Sequence, residues 1–438
     1  MSAALNLAME FTPGTWITLT LPAIGNRKFV KNPIIIRFYK IVGDFWERKP
    51  NILLHLFLIT DMKYVKEFRD PDKAQGLVRE IAQLSQKLGY TTEHPLKIME
   101  VCGGHTHSIF KYGIQEALPN NIELIHGPGC PVCIMPRGRL DDAIALAEKP
   151  NVIFTTFGDG MRVPGSQKSL LQAKAQGADI RMVYSPLDSL KIAKENPDKE
   201  IIFFGLGFET TAPSAALTIL QAEAEGVKNF SIFSNHVLVV PALEALLSNP
   251  DLELQGFVGP GHVSMVIGTQ VYHIISEKYQ KPVVVSGFEP LDILQSIWML
   301  LQQILEGRCE VENQYSRIVK EEGNRVALEA MKRVFEVRDT FEWRGLGEIP
   351  ESGLKITDAY SCFDAEAKFC LPNKKVADAK ACQCGEILKG VLKPWECKVF
   401  GTACTPENPI GTCMVSSEGA CAAYYKYGRL FKKEKVKV

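Results

Sequence analysis

From Lys97 onward the chain alternates short apolar runs with stretches of helical period. Eight runs read as strands: KIMEV from Lys97, ELIHG from Glu123, NVIFTTFG from Asn151, IRMVYS from Ile180, EIIFFGLG from Glu200, FSIFSNH from Phe230, LQGFVG from Leu254 and PVVVSGF from Pro282. Several are apolar along their whole length, as expected of a sheet covered on both faces. Helical text separates many of them, including GRLDDAIALAEK, TAPSAALTILQAEAEG and PLDILQSIWMLLQQILEG. The alternation predicts an α/β fold with mostly parallel sheets. Upstream, residues 62–88 carry an amphipathic helix pattern with a Pro-Asp start signal at Pro71. Residues 1–61 hold apolar scraps such as WITLTLP and NPIIIRFYK with neither period sustained.

A partial internal echo points to two related lobes. Gly-Pro-Gly occurs at Gly127–Gly129, before Cys130, and again at Gly259–Gly261, before His262. Gly-Phe-Glu occurs at Gly207–Glu209 and Gly287–Glu289, each just after an apolar strand. Duplication and coincidence both account for so few matches. The expected organisation is two Rossmann-like α/β lobes around a central cleft, residues 62–185 and 186–313. A helical connector, Gln314–Val337, then leads to a small Cys-rich C-terminal domain ending near residue 430. Residues 431–438, FKKEKVKV, read as a solvated basic tail. For residues 1–61 two readings stand: extra sequence ahead of a native start at Met62, or a peripheral anchor or partner-binding arm.

Composition narrows the class. The 438 residues suffice for two or three domains, with 46% apolar and 23% charged side chains. Fifty basic and fifty acidic residues cancel, so no nucleic-acid footprint or polybasic membrane patch is expected. Twelve cysteines could signal a secreted disulfide framework, but such frameworks belong to small domains without a core. No signal peptide pattern is visible, and the apolar stretch Ile52–Ile59, interrupted by His55, is far short of the ~20 residues of a membrane span. A cytoplasmic protein is expected, its thiols reduced unless catalytic.

The candidate chemistry lies where strands should end, which is where ligands bind in open α/β sheets. KIMEV runs into Cys102-Gly-Gly-His105-Thr-His107, ELIHG into Cys130-Pro-Val-Cys133, and NVIFTTFG into Asp159-Gly-Met-Arg162. In a parallel sheet Cys102, Cys130 and Cys133 can converge. Glycines beside Cys102 and Cys130 allow close backbone approach. A cysteine starting a helix would feel the dipole, favouring the thiolate that binds metal or attacks disulfides. Each residue also has a bland reading: a buried inert thiol, or for Cys-x-x-Cys a zinc knuckle or thioredoxin-like centre. His126, His236 and His262 read as satisfied structural histidines, His262 with the option of facing the crevice. Glu209 and Glu289 follow apolar strands, where they could hold a ligand or a proton, or simply cap the next helix. Asp159 and Arg162 read as a structural pair.

Six cysteines crowd the end of the chain: Cys382, Cys384, Cys397, Cys404, Cys413 and Cys421. Thiolates are the preferred ligands of iron–sulfur clusters, and four suffice for a [4Fe–4S] centre. Two remain, enough for a dithiol/disulfide pair beside it. A zinc ribbon would show two Cys-x2-Cys knuckles, which this segment lacks. Cys309, Cys362 and Cys370 match no pattern.

CGGHTH, GPGCPVC, FGDGMRVPGS, GFETTAP, GFEP and ECKVFGTACTPENPIGTCMVSSEGACAAYYKY, in this order, resemble the HypD family of hydrogenase maturation proteins. The likeness runs from about Met62 to Tyr427. It implies a scaffold on which the Fe(CN)2CO unit of [NiFe]-hydrogenases is assembled, destined for the hydrogenase large subunit. A small HypC-like partner and a HypE-like donor carrying cyanide as thiocyanate are implied with it. By motif, Cys102, Cys130 and Cys133 would be the essential cysteines that hold transient iron, with His105 alongside. The C-terminal segment resembles the cluster region of ferredoxin:thioredoxin reductase. That likeness makes Cys382, Cys397, Cys404 and Cys421 the [4Fe–4S] ligands and Cys384 and Cys413 the adjacent redox pair. Soft thiolates suit an iron that must be held and later released. A relay from the cluster through Cys384/Cys413 to Cys130/Cys133 would bring electrons to it. The chief rival is a ferredoxin-dependent protein disulfide reductase, which leaves Cys102 and His105 without work. A zinc-stabilised docking module is a second.

Overall fold

The computed structural model describes residues 65–249 and 252–428, and the readings on 1–61 and 431–438 lie outside them. Nine described strands form two parallel sheets. They are β1 (Leu96–Glu100), β2 (Ile122–His126), β3 (Val152–Thr156), β4 (Ile180–Met182) and β5 (Glu200–Gly207). After these come β6 (Phe230–His236), β7 (Gly256–Pro260), β8 (Val283–Ser286) and β9 (Val311–Asn313). One sheet has the order β2-β1-β7-β8-β9, the other β4-β3-β5-β6. Every pairing in both is parallel, as the apolar runs predicted.

The sheets do not follow a division at residue 186. β3 and β4 join β5 and β6, while β7, β8 and β9 complete the sheet begun by β1 and β2. A parallel neighbour can be supplied from any distance along the chain provided a crossover covers the sheet, so linear order alone does not fix membership.

The predicted helix at Pro71 runs Pro71–Lys87, with Asp70 as N-cap accepting from the amides of Asp72 and Lys73. It packs with helix Pro290–Glu306 over one face of the first sheet, burying Ile81, Ile98, Val284, Ile293, Ile297 and Leu300 together. A separate core gathers Ile201, Phe203, Ala215, Ile219 and Ile232 beneath helix Arg325–Val334. The third and largest joins both sheets to the cysteine-rich segment through Met99, Cys133, Phe204, Cys413 and Cys421.

The connector differs from expectation. Its helix spans only Arg325–Val334 and is followed by four short strands, β10 (Phe335–Val337), β11 (Thr340–Trp343), β12 (Gly347–Pro350) and β13 (Leu354–Ile356). β10 pairs with β13 and β11 with β12, both antiparallel. Strands of three or four residues are too short to show a period of two. Trp343 is fully buried among them, its indole N–H donating to Ser352 Oγ at 2.9 Å. Among the described residues no helix is long and apolar enough to cross a membrane.

Candidate functional site

Strands β1 and β2 end in register, Glu100 opposite His126. The loops that follow are laced together: Gly127 N–H donates to the Glu100 carbonyl at 2.8 Å, and Gly103 N–H to the Gly129 carbonyl at 3.1 Å. A Cβ on Gly129 would collide with the backbone nitrogen of Cys102, so only glycine permits this approach. Parallel pairing thereby brings the Cys102 loop against the Cys130 loop, as the strand-end argument expected.

Cys102 is the N-cap of helix Gly103–Tyr112. The dipole was expected to lower its pKa; the structure shows the reverse. Burial raises it most, and the Glu418 and Glu100 carboxyls raise it further, outweighing the amides of Gly104 and His105. Cys130 and Cys133 form a disulfide with Cα atoms 5.2 Å apart. Both are buried, Cys133 completely.

His105 Nε2 lies 2.9 Å from the Gly287 carbonyl and 3.2 Å from that of Ser286, at the end of β8. Two carbonyl acceptors fix the proton on Nε2, which leaves a lone pair on Nδ1. That Nδ1 is buried without a hydrogen-bond partner. Burial is the main force holding the imidazole pKa down. The ring stacks on Phe288 at 4.6 Å, and His262 stacks on Phe288 at 3.8 Å. His262 is thus part of this group rather than a remote structural residue.

Glu289, one residue on, turns elsewhere. It is the N-cap of helix Pro290–Glu306 and forms an ion pair with Arg69, Nη2 to Oε1 at 2.8 Å. Glu209 Oε1 accepts the amide of Val239 at 3.0 Å, while Oε2 is buried without a partner, and burial pushes the carboxyl pKa up to about 7. His126 donates to Glu100 and packs at a tilt against Phe110, ring centroids 4.6 Å apart. His236 meets Ser234 Oγ at 3.1 Å. These two fill the satisfied roles the sequence suggested.

The cysteine-rich segment closes over the strand ends. Thr412 donates its hydroxyl to the Cys133 carbonyl. A Cβ on Gly419 would sit 2.9 Å from Cys133 Sγ, so that sulfur lies directly against the Gly419 backbone. Arg162 donates to the carbonyls of Pro406 and Val415, which makes it an anchor for this segment rather than a partner of Asp159. His107 Nδ1 lies 3.3 Å from the Ser417 carbonyl. Glu418 presses on Gly103, its pKa raised by burial and by Asp159 and Glu100.

Several of the C-terminal thiols influence one another. Cys384 N–H donates to Cys382 Sγ at 3.4 Å. The Cys384 thiol and burial raise the pKa of Cys421, with Cys413 and Cys404 adding to it, and burial raises that of Cys404, with Cys384 and Cys382 adding to it. Gly411 has room for no side chain because the sulfurs of Cys382 and Cys384 stand against it. Cys397 is half-buried and packs against the same core as Cys382, and the N–H of the next residue, Lys398, donates to Gln383 Oε1 at 3.1 Å. Among the described residues no three Cys, His, Asp or Glu side chains already stand in a metal-holding arrangement. The donor set nevertheless fits a cluster chemically. The neighbouring Cys384 thiol and burial raise the pKa of Cys382 and Cys421, and a thiophilic cation favours the thiolate form.

Sequence reasoning passed over Glu100, Phe288, Thr412 and Glu418. Each owes its place to tertiary contacts. The one available signal was Gly419, which follows Glu418 in a segment dense with glycine and cysteine.

Fold and site define a parallel α/β protein with a buried multi-thiol centre at the carboxyl ends of its strands. The family model described as "Hydrogenase formation hypA family", HypD, matches residues 72–428. The hydrogenase maturation factor HypD of Rhodobacter capsulatus is 58% identical over 371 residues, covering 84% of this chain and 98% of its own. That of Escherichia coli strain K12 is 52% identical over 366 residues, covering 84% and 98%. The chain belongs to the HypD family of hydrogenase maturation factors.

Proposed function

We propose that the chain is the scaffold on which an iron ion receives its cyanide and carbonyl ligands, together with a HypC-like partner and a HypE-like cyanide donor in the cytoplasm. The observation that carries this is the seating of the C-terminal segment on the crevice: Cys133 Sγ lies against Gly419 beside the Cys413 carbonyl, and the Cys130 loop is bonded through its backbone to the Cys102 loop. Cys102, Cys130 and Cys133 hold the iron as cargo. Their softness suits ferrous iron and its later release. His105, three residues from Cys102, offers a buried Nδ1 lone pair that no hydrogen bond uses.

Cys382, Cys397, Cys404 and Cys421 would hold a [4Fe–4S] cluster, which supplies single electrons when bound. The remaining chemistry belongs to the side chains. Opening the Cys130–Cys133 disulfide takes two electrons and two protons. The Cys384/Cys413 dithiol provides both by exchange: one thiolate attacks a sulfur of the disulfide and the second resolves the mixed disulfide, which leaves two free crevice thiols and a Cys384–Cys413 disulfide that two single electrons delivered by way of the cluster would reduce again. The reductase alternative requires Cys130–Cys133 to meet an external disulfide, yet both sulfurs are buried.

Infrared spectroscopy of the anaerobically co-purified protein and partner tests the reading. Cyanide and carbonyl stretches are expected in the window where protein absorbs little, and Cys102→Ala is expected to remove them. Full bands in that variant would overturn the assignment.

A further inference from the structure

Glu100 is completely buried, and among the described residues it forms no ion pair with a lysine or arginine. A carboxylate in that position is costly unless its oxygens are satisfied. Here they are, by donors from two different loops. Oε2 accepts the backbone N–H of Cys102 at 3.0 Å. Oε1 accepts the Thr106 hydroxyl and, at 2.8 Å, the Nδ1–H of His126. Cys102 and Thr106 begin helix Gly103–Tyr112; His126 ends β2 and leads through Gly127-Pro128-Gly129 into Cys130. Its charge also lies at a helix N-terminus, where a negative group is favoured.

We propose that Glu100 is a positioning residue: a carboxylate clamp whose three hydrogen bonds hold the Cys102 loop and the Cys130 loop in a single arrangement. The backbone bonds from Gly127 to Glu100 and from Gly103 to Gly129 lace the loops, and the side chain locks the lacing from beneath. Loops rich in glycine have much conformational freedom to lose, so a buried tie between them matters most where sulfurs must meet. The role rests on Cys102 and Cys130 acting together, but its test needs no iron.

The informative contrast is Glu100→Gln against Glu100→Ala. A glutamine can accept from Cys102 N–H through its oxygen. Its amide can donate to Thr106 and to a His126 that carries its proton on Nε2, so the clamp survives without the charge. Alanine removes all three bonds. Hydrogen exchange read by mass spectrometry on the full chain should show Glu100→Ala losing protection by about tenfold or more in residues 101–106 and 126–130. The β5 and β6 segments should be unchanged. Glu100→Gln should keep protection in both loops and keep hydrogenase maturation in cells, which Glu100→Ala loses.

Unchanged exchange at 126–130 in Glu100→Ala would overturn the clamp, as would a glutamine variant as damaged as the alanine one. If Glu100→Ala does not fold, His126→Phe decides. It keeps a ring beside Phe110 but removes the donor, and loosening of residues 101–106 is expected. No change there would sink the proposal. An iron-free crevice in the wild-type protein would defeat the assembly reading and leave this result standing.

Discussion

The hydroxyl of Thr412 donates to the carbonyl of Cys133, joining residues 279 apart in sequence. That bond seats the cysteine-rich segment on the turn carrying the Cys130–Cys133 disulfide. It places Gly419 against Cys133 Sγ, with the Cys413 carbonyl on the same side. Two groups of cysteines thereby become neighbours.

Gly419→Ala should separate them. The new Cβ meets both the Cys413 carbonyl and Cys133 Sγ, and the surroundings are buried and close-packed. Overpacking of this kind costs about 1–3 kcal/mol, so the fold should survive while the contact is displaced. Maturation should fall about tenfold or more, since misplacement by an ångström is enough for that. Thiol trapping under reducing conditions should show Cys130–Cys133 still oxidised when the wild-type pair has opened.

Cys384→Ala separates electron storage from cluster holding. Cys384 Sγ stands with Cys382 Sγ against Gly411, so the substitution removes one sulfur and leaves a small cavity there. Iron–sulfur absorption should persist in the variant and maturation should be lost. Loss of the absorption instead would make Cys384 a ligand. Iron and sulfide analysis alongside the visible spectrum reads the difference.

Strand-end cysteines were legible because short β-runs alternate with helical text and the motifs follow those runs directly. Cys102 and Cys130 could therefore be expected together, and they are. The pKa of Cys102 was not legible. It is set first by burial, which a helix-start argument omits, and then by Glu418, which arrives from the far end of the chain. His262 looked structural until Phe288 was seen to stack between it and His105. The division of the sheets was equally hidden, because β7 pairs with β1 across more than a hundred intervening residues. Local pattern identifies elements and their ends; which ends meet depends on crossovers that local pattern does not encode.

Glu289 had the look of a catalytic carboxylate after a strand. Its observed partner is Arg69, whose side chain is 44% exposed, and its amide donates to Asp292 Oδ2 at 3.2 Å. An exposed ion pair contributes about 1 kcal/mol or less. Glu289→Gln should therefore lower the urea midpoint slightly and leave maturation near the wild-type level. A loss of maturation with the fold intact would restore Glu289 to the chemistry.

Glu209 should shape the dependence of stability on pH. Its folded pKa is raised to about 7 from 4.5 by burial, with no cation to offset it. Between those values the folded chain keeps a proton that the unfolded chain has released, so this group's contribution falls as pH rises and levels off above the folded value. His236 acts oppositely: burial lowers its pKa from 6.5 to about 3, so its contribution grows as pH rises through that window. The two offset each other in mildly acidic solution, and above pH 7 only the Glu209 penalty has its full size. Glu209→Gln removes the ionisation while keeping an acceptor for the Val239 amide. Its stability relative to wild type should therefore improve by about 2–3 kcal/mol between pH 5 and pH 8. Urea unfolding at the two pH values measures this, and an unchanged difference would mean that Glu209 is ionised in the fold by a partner that reaches Oε2.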